Sequence, residues 1–329
     1  MPPSTLAIAM IIPDTKTYLL VGSVLAVLAA ATAVGQVLKR RLDAGLNPAI
    51  VEQFHLRVRT WWLMCTVLAA AFIVGREITV VLFGLISFWS LREFITLTPT
   101  RPGDHRALFW VFFVITPLQY VLVGLEEYSL YSILIPVFGF LFITARVSFS
   151  GDPKRFLERT AKIMAGLMIC VYCLSFAPAL LSLPPKGKPI DENARLLFFF
   201  VLVVQFADIA HYLWGKLLGK RLIAPEVSAG RTWEGFLGGI ASATLFGTVL
   251  WWSVPLTAWQ AACLSALTAT AGMAGGMTMS AIKRDRGVKD YGTLVVGHGG
   301  VLDRIDSICF AAPVFYYAVR VMLDQWPTG

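Results

Sequence analysis

The sequence predicts an all-α, polytopic integral membrane protein of about ten transmembrane helices, with a polar active-site face turned to the cytoplasm. Three observations predict it. The chain is 57% hydrophobic and only 15% charged over 329 residues, against about 25% charged in soluble domains. Apolar runs near the roughly 20 residues that a helix needs to cross a bilayer recur along the whole length. The cations fall in alternate connectors rather than at random.

The runs are approximately Thr17–Leu38, Trp61–Gly75, Ile78–Phe94, Leu108–Leu125, Tyr128–Ala145, Ile163–Leu183, Leu196–Trp214, Phe236–Pro255, Ala258–Met279 and Ile308–Leu323. The second and third are short and joined tightly at Arg76 and Glu77, which leaves nine spans open. With both termini outside, the inward segments Lys39–Arg59, Arg92–Arg106, Arg146–Lys162, Gly215–Arg231 and Ala281–Arg304 hold 22 of the 28 Lys and Arg residues. That split supports ten, because removing one span would reverse every later loop.

The net charge of +8 therefore belongs to loops beside anionic lipid and gives no reason to expect nucleic acid. The opening "MPPSTLAIAMIIP" lacks the basic region of a secretory signal, so no cleavage is expected. Cys170 and Cys173 have the spacing of a redox or metal pair, but they sit in "MICVYCLSF" with no acid or histidine nearby and read as packing residues. Nothing interrupts the spans, so one continuous membrane domain is the simplest division. Within it residues 1–195 form an N-terminal helical part and 196–329 a C-terminal part with inner loops 215–234 and 280–306. The inner stretches "TLTPTRPGDHR" and "RVSFSGDPKRFLERTAK" read as surface segments, the second as a short basic helix against the headgroups.

Chemistry concentrates in the C-terminal part. Asp208 lies in an otherwise apolar run, and a carboxylate there is a site candidate unless it stands close enough to the membrane surface to reach water. Gly215, Lys216 and Gly219 follow, then the glycine-rich stretch from Ser228 to Gly239, whose backbone amides could approach an anion. Small residues of this kind also serve helix packing in membranes.

The run "SAIKRDRGVKDYGTLVVGHGGVLDRIDS" carries five cations and four acids. A loop that only sets topology needs no acids; carboxylates among cations point to a hard cation such as Mg2+, held by one or two carboxylates together with substrate phosphates. Asp303 and Asp306 are three residues apart and would share one helix face. Gly297-His298-Gly299-Gly300 forms a tight loop in which His298 either meets phosphate or simply bonds backbone. Bringing two phosphorylated molecules together costs about 4 kcal/mol per pair of unit charges 4 Å apart at an effective dielectric near 20. Such a cluster would offset that repulsion.

The run S-x-x-K-R-x4-K-D-x7-H-G-G-x-x-D-R-x-D, filled by Ser280, Lys283, Arg284, Lys289, Asp290, His298, Gly299, Gly300, Asp303, Arg304 and Asp306, resembles the phosphatidate cytidylyltransferase (CDP-diacylglycerol synthase) family. Upstream, Asp208, Tyr212, Gly215, Lys216 and "SAGRTWEG" are similar to that family's Asp, its aromatic with Gly-Lys, and its Ser-Pro-Lys-Lys-Thr-x-Glu-Gly element. The resemblance is specific over about residues 205–310.

It implies transfer of a cytidylyl group from CTP to phosphatidate, giving CDP-diacylglycerol and pyrophosphate, with Mg2+ and with a second, monovalent cation left open. On that analogy Asp303, Asp306 and Asp290 would hold metal, with Asp208 as a substitute ligand. Lys283, Arg284, Lys289, Arg304 and His298 would serve the reacting phosphates, while Lys216, Ser228, Arg231, Thr232, Glu234, Gly299 and Gly300 would line the substrate side. Two departures stand out. Gly276 replaces the Asp of a Gly-Asp-Leu element, and Ser228-Ala229-Gly230-Arg231 keeps one cation of two. Either other carboxylates hold the metal or the activity has drifted. The competing readings are a relative that activates another lipid phosphate, and a transporter or noncatalytic membrane protein that retains the fold. The expected partners are CTP, a lipid phosphate and membrane lipids, with a homodimer left open; the family and the short loops place the protein in a bacterial inner membrane.

Overall fold

A computed structural model gives the fold. It describes residues 75–98, 100–183, 191–228, 230–292 and 299–325, with isolated positions before residue 75. The expected spans Thr17–Leu38 and Trp61–Gly75 lie largely outside the described residues.

Eight helical rods follow one another among the described residues: α1 Arg76–Leu97, α2 Pro102–Gly124, α3 Tyr128–Ser148, α4 Phe156–Ser182, α5 Asp191–Leu218, α6 Trp233–Val249, α7 Ala258–Asp285 and α8 Leu302–Gln325. Six of them, α1 to α5 and α8, are long and apolar enough to cross a bilayer. These match six of the expected spans, and the protein is an integral membrane protein. The expected spans Phe236–Pro255 and Ala258–Met279 are also helical, as α6 and α7, but fall outside the six. Helix α6 has 17 residues, about 25 Å of rise, which is shorter than a bilayer core. Helix α7 ends in the charged Lys283-Arg284-Asp285.

Because lipid covers the outside, α1 is apolar nearly all round, with Val81 and Leu85 exposed while Val80, Phe83, Ser87, Leu91 and Phe94 pack inward. Cohesion between such helices comes from packing and internal hydrogen bonds. Ser87 Oγ donates to the Cys170 carbonyl at 2.6 Å, and Gln119 Nε2 donates to the Tyr131 carbonyl at 2.9 Å and Ser175 Oγ at 3.0 Å. Cys170 is fully buried and unpaired, a packing residue. Pro117 and Pro136 remove backbone donors, and wider π turns at Val111–Ile115 and Leu134–Gly139 accompany them. Thr116 Oγ1 donates to the Val111 carbonyl at 2.8 Å, satisfying one acceptor there.

The rods alternate in direction, so the end of α1, the starts of α2 and α4, the end of α5, the start of α6, the end of α7 and the start of α8 gather at one end of the bundle. Here the two inner stretches depart from the expected surface segments. Asp104 is fully buried against Arg159, whose Nε lies 3.0 and 2.9 Å from its two carboxylate oxygens. Arg159 Nη1 also donates to the Asp152 carbonyl at 2.7 Å. A buried charge needs a partner, and each stretch supplies the other's. Helices α5 and α7, at 28 residues each, rise about 42 Å and carry polar ends to this same side.

Candidate active site

A cavity of about 590 Å³ opens among α5, α6, α7 and α8 at the polar end. Asp208 from α5 and Asp306 from α8 line it, with Ser307 between them. Ser307 Oγ donates to Asp208 Oδ1 at 3.0 Å, and the Ser307 amide donates to Asp306 Oδ1 at 2.8 Å. Two carboxylates in one cavity repel unless a cation stands near them. Arg231 is the cation placed there: it lines the same cavity, and its Nη1 donates to the Met273 carbonyl at 3.0 Å.

The chain between α5 and α6 turns back on itself to bring Arg231 there. Leu222 bridges Thr232, the Ile223 amide donates to the Arg231 carbonyl at 3.0 Å, and the Trp233 amide donates to the Arg221 carbonyl at 3.0 Å. Thr232 then caps α6, accepting from the Gly235 amide at 3.1 Å. Ser228, Gly230 and Thr232 face the cavity, as does Lys216 from the last turn of α5. Glu234 turns the other way: its carboxylate accepts from the Lys220 and Arg221 amides at 3.1 and 3.2 Å. Those bonds, the one from Lys220 first, hold its carboxyl below the usual carboxylate range. Glu234 is thus placed as a brace of the loop rather than at the cavity.

The long charged run is arranged differently. Asp303 and Asp306 do share α8 and do line the same cavity, but Asp303 faces back toward its own loop. It accepts from Lys283 Nζ at 2.8 Å, the Tyr291 amide at 2.8 Å and the Gly300 amide at 2.9 Å. Lys283 also sits over the Tyr291 ring, 5.3 Å from its centre. Arg304 lines the cavity, whereas Arg284, Lys289 and Asp290 are exposed and lie outside its lining. Gly299 takes a left-handed backbone, φ 82°, next to the Asp303 carboxylate. His298 lies outside the described residues.

Three residues that the sequence reading passed over belong to this construction. Glu93, at the end of α1 and buried, accepts from the Val301 and Leu302 amides at 3.0 and 2.8 Å. It satisfies the free N–H groups at the start of α8, and any side chain at Gly300 would run into its carboxylate. His211 lines the cavity with its Nδ1 3.1 Å from the Gly235 carbonyl. Ser307 joins the two acids. An acid in an apolar run marked Asp208, and the same signal was present at Glu93; no sequence signal marked Ser307.

No cluster of three or more His, Cys, Asp or Glu side chains forms a ready metal cage among the described residues. The donor set nevertheless fits Mg2+, which is usually held by one or two carboxylates, waters and substrate phosphates. Asp208 and Asp306 are such a pair, in a cavity with room for the remaining ligands.

A profile of the cytidylyltransferase family matches residues 55–322. The Escherichia coli (strain K12) protein named "Uncharacterized protein YnbB" is 40% identical over 269 residues, 80% of this chain and 87% of that protein. A phosphatidate cytidylyltransferase of Brucella suis biovar 1 (strain 1330) is 32% identical over 247 residues, 74% of this chain and 83% of that protein. Another phosphatidate cytidylyltransferase, of Synechocystis, is 41% identical over 141 residues, 42% of this chain, so this match spans only 47% of that relative. The chain belongs to the cytidylyltransferase family and is a nucleotidyltransferase.

Proposed function

We propose that the protein transfers the cytidylyl group of CTP to phosphatidate, yielding CDP-diacylglycerol and pyrophosphate for phospholipid synthesis. The observation that carries this reading is the cavity in which Asp208 and Asp306 meet Arg231, Lys216 and Arg304 at one end of a membrane bundle. A reaction between polyanions beside lipid gives that set a use, and the Brucella relative is named phosphatidate cytidylyltransferase. A transport path would give no reason to gather cations around paired acids at one end.

A phosphate oxygen of the lipid attacks the α-phosphorus of CTP, and the bond to the pyrophosphate oxygen breaks on the opposite side; no protein nucleophile is needed. Asp208 and Asp306 would hold Mg2+, which would supply Lewis-acid stabilisation of the phosphate oxygens when bound. Arg231, Lys216 and Arg304 offset the repulsion between the two substrates. Ser228 and Thr232 stand on the nucleotide side. The polar end faces the cytoplasm of a bacterial inner membrane, as the cation split between loops favours.

The test is CTP- and Mg2+-dependent pyrophosphate release by the purified protein in phosphatidate micelles, with Asp306→Asn alongside. Release is expected from the wild type, with at least about a hundredfold loss in the variant. Equal rates would remove Asp306 from the chemistry. Silence with phosphatidate but release with another lipid phosphate would keep the reaction and change the lipid.

A further inference from the structure

Two adjacent glycines of α7 do different work. Gly275 admits α8, since a side chain there would meet Phe310 and the Asp306 carbonyl. Gly276 faces the cavity side, and the place its Cβ would fill is taken by the guanidinium of Arg231. The backbone of Arg231 is pinned by the Ile223 and Trp233 amide bonds on either side of the Leu222 bridge, and its head is tied to the Met273 carbonyl, one turn before Gly276. A side chain at 276 and a guanidinium in this position exclude each other.

We propose that Gly276 is the seat of Arg231, and that the seated guanidinium is the resident second cation of the Asp208 and Asp306 pocket, which then takes a single divalent ion. The inference rests on the divalent ion assigned above. Charge makes the case. Two carboxylates and one divalent ion cancel one another, so the excess positive charge that receives a triphosphate and a lipid phosphate has to come from side chains, Lys216 and Arg304 among those lining the cavity. The fixed guanidinium adds to that excess without recruiting another ion, and its position costs no reorganisation when substrate arrives.

The test uses the full chain in detergent, without nucleotide or lipid, titrated with Mn2+ and read by electron paramagnetic resonance and by thermal unfolding. The wild type is expected to bind one equivalent. Arg231→Ala removes a like charge beside the metal and should tighten Mn2+ binding by about tenfold or more, while Arg231→Lys stays near wild type. Gly276→Ala should lower the unfolding midpoint, and the double variant Gly276→Ala with Arg231→Ala should recover it, because the methyl then fills a vacant seat.

A second equivalent bound by the wild type, or unchanged or lost Mn2+ affinity in Arg231→Ala, overturns the cation role. A double variant no more stable than the two single losses combined overturns the seat. None of these readouts needs CTP or phosphatidate, so they stand apart from the outcome of the transfer assay.

Discussion

Two polar segments meet at the same end of the bundle and are built on opposite plans. The loop between α5 and α6 carries few acids, yet it delivers Ser228, Arg231 and Thr232 into the cavity. The run from the last turn of α7 to the first turns of α8, Lys283 to Asp306, carries nine charges, yet Arg284, Lys289 and Asp290 are exposed, and Asp303 is engaged by Lys283 and by the Tyr291 and Gly300 amides. Density of charge is therefore a poor guide to which side chains face a substrate. Part of the charge goes to satisfying backbone groups that would otherwise be stranded, as Asp303 does for the Tyr291 and Gly300 amides.

The second loop's plan hangs on Glu93, and removing that acid is the largest way to break the contrast. Glu93→Ala strands the Val301 and Leu302 amides at the start of α8. The expected loss is about 3 kcal/mol of stability, since hydrogen bonds to charged groups contribute roughly 1.5–3 kcal/mol each. Because α8 carries Asp303 and Asp306, kcat should fall more than KM changes, and Glu93→Gln, which keeps one acceptor oxygen, should restore part of both. A wild-type unfolding midpoint and rate in Glu93→Ala would show that the loop holds itself.

Asp303→Asn sharpens the contrast with Asp306. The two lie on one helix and line one cavity, but the amide bonds to Tyr291 and Gly300 assign Asp303 to the loop. The variant should lose about 1–3 kcal/mol of stability while keeping Mn2+ affinity within a few fold. The opposite pattern, intact stability with Mn2+ binding weakened tenfold or more, would make Asp303 a ligand.

How much of this was legible follows from the kind of signal each residue gives. Hydropathy is a local property, so the six long apolar helices and the alternation of their loops could be read directly. Asp208 announced itself by its cost in an apolar run. Glu93 carried the same signal but stood beside Arg92 at the end of its run, where an acid reads as facing headgroups; only the packing of α8 shows it buried. Gly276 was visible as a departure from the family pattern, but what occupies the missing side chain's place depends on a residue 45 positions earlier, brought there by a bridge that no periodicity encodes. Ser307 and His211 are ordinary residues in sequence and acquire meaning only from the helices opposite them.

The smallest expected effect belongs to Lys289, and it tests the comparison from the other side. Its ammonium is exposed and outside the cavity lining, so Lys289→Ala should change stability by no more than about 0.5 kcal/mol and kcat by less than about threefold. What it should change is the salt dependence of the KM for CTP, because an exposed cation near the cavity attracts a polyanion at a distance and is screened by salt. Steady-state rates at low and high ionic strength separate the two contributions. A tenfold fall in kcat that salt does not touch would mean that Lys289 itself meets phosphate in the substrate complex. The two loops would then differ in the order in which they reach the substrate, not in whether they do.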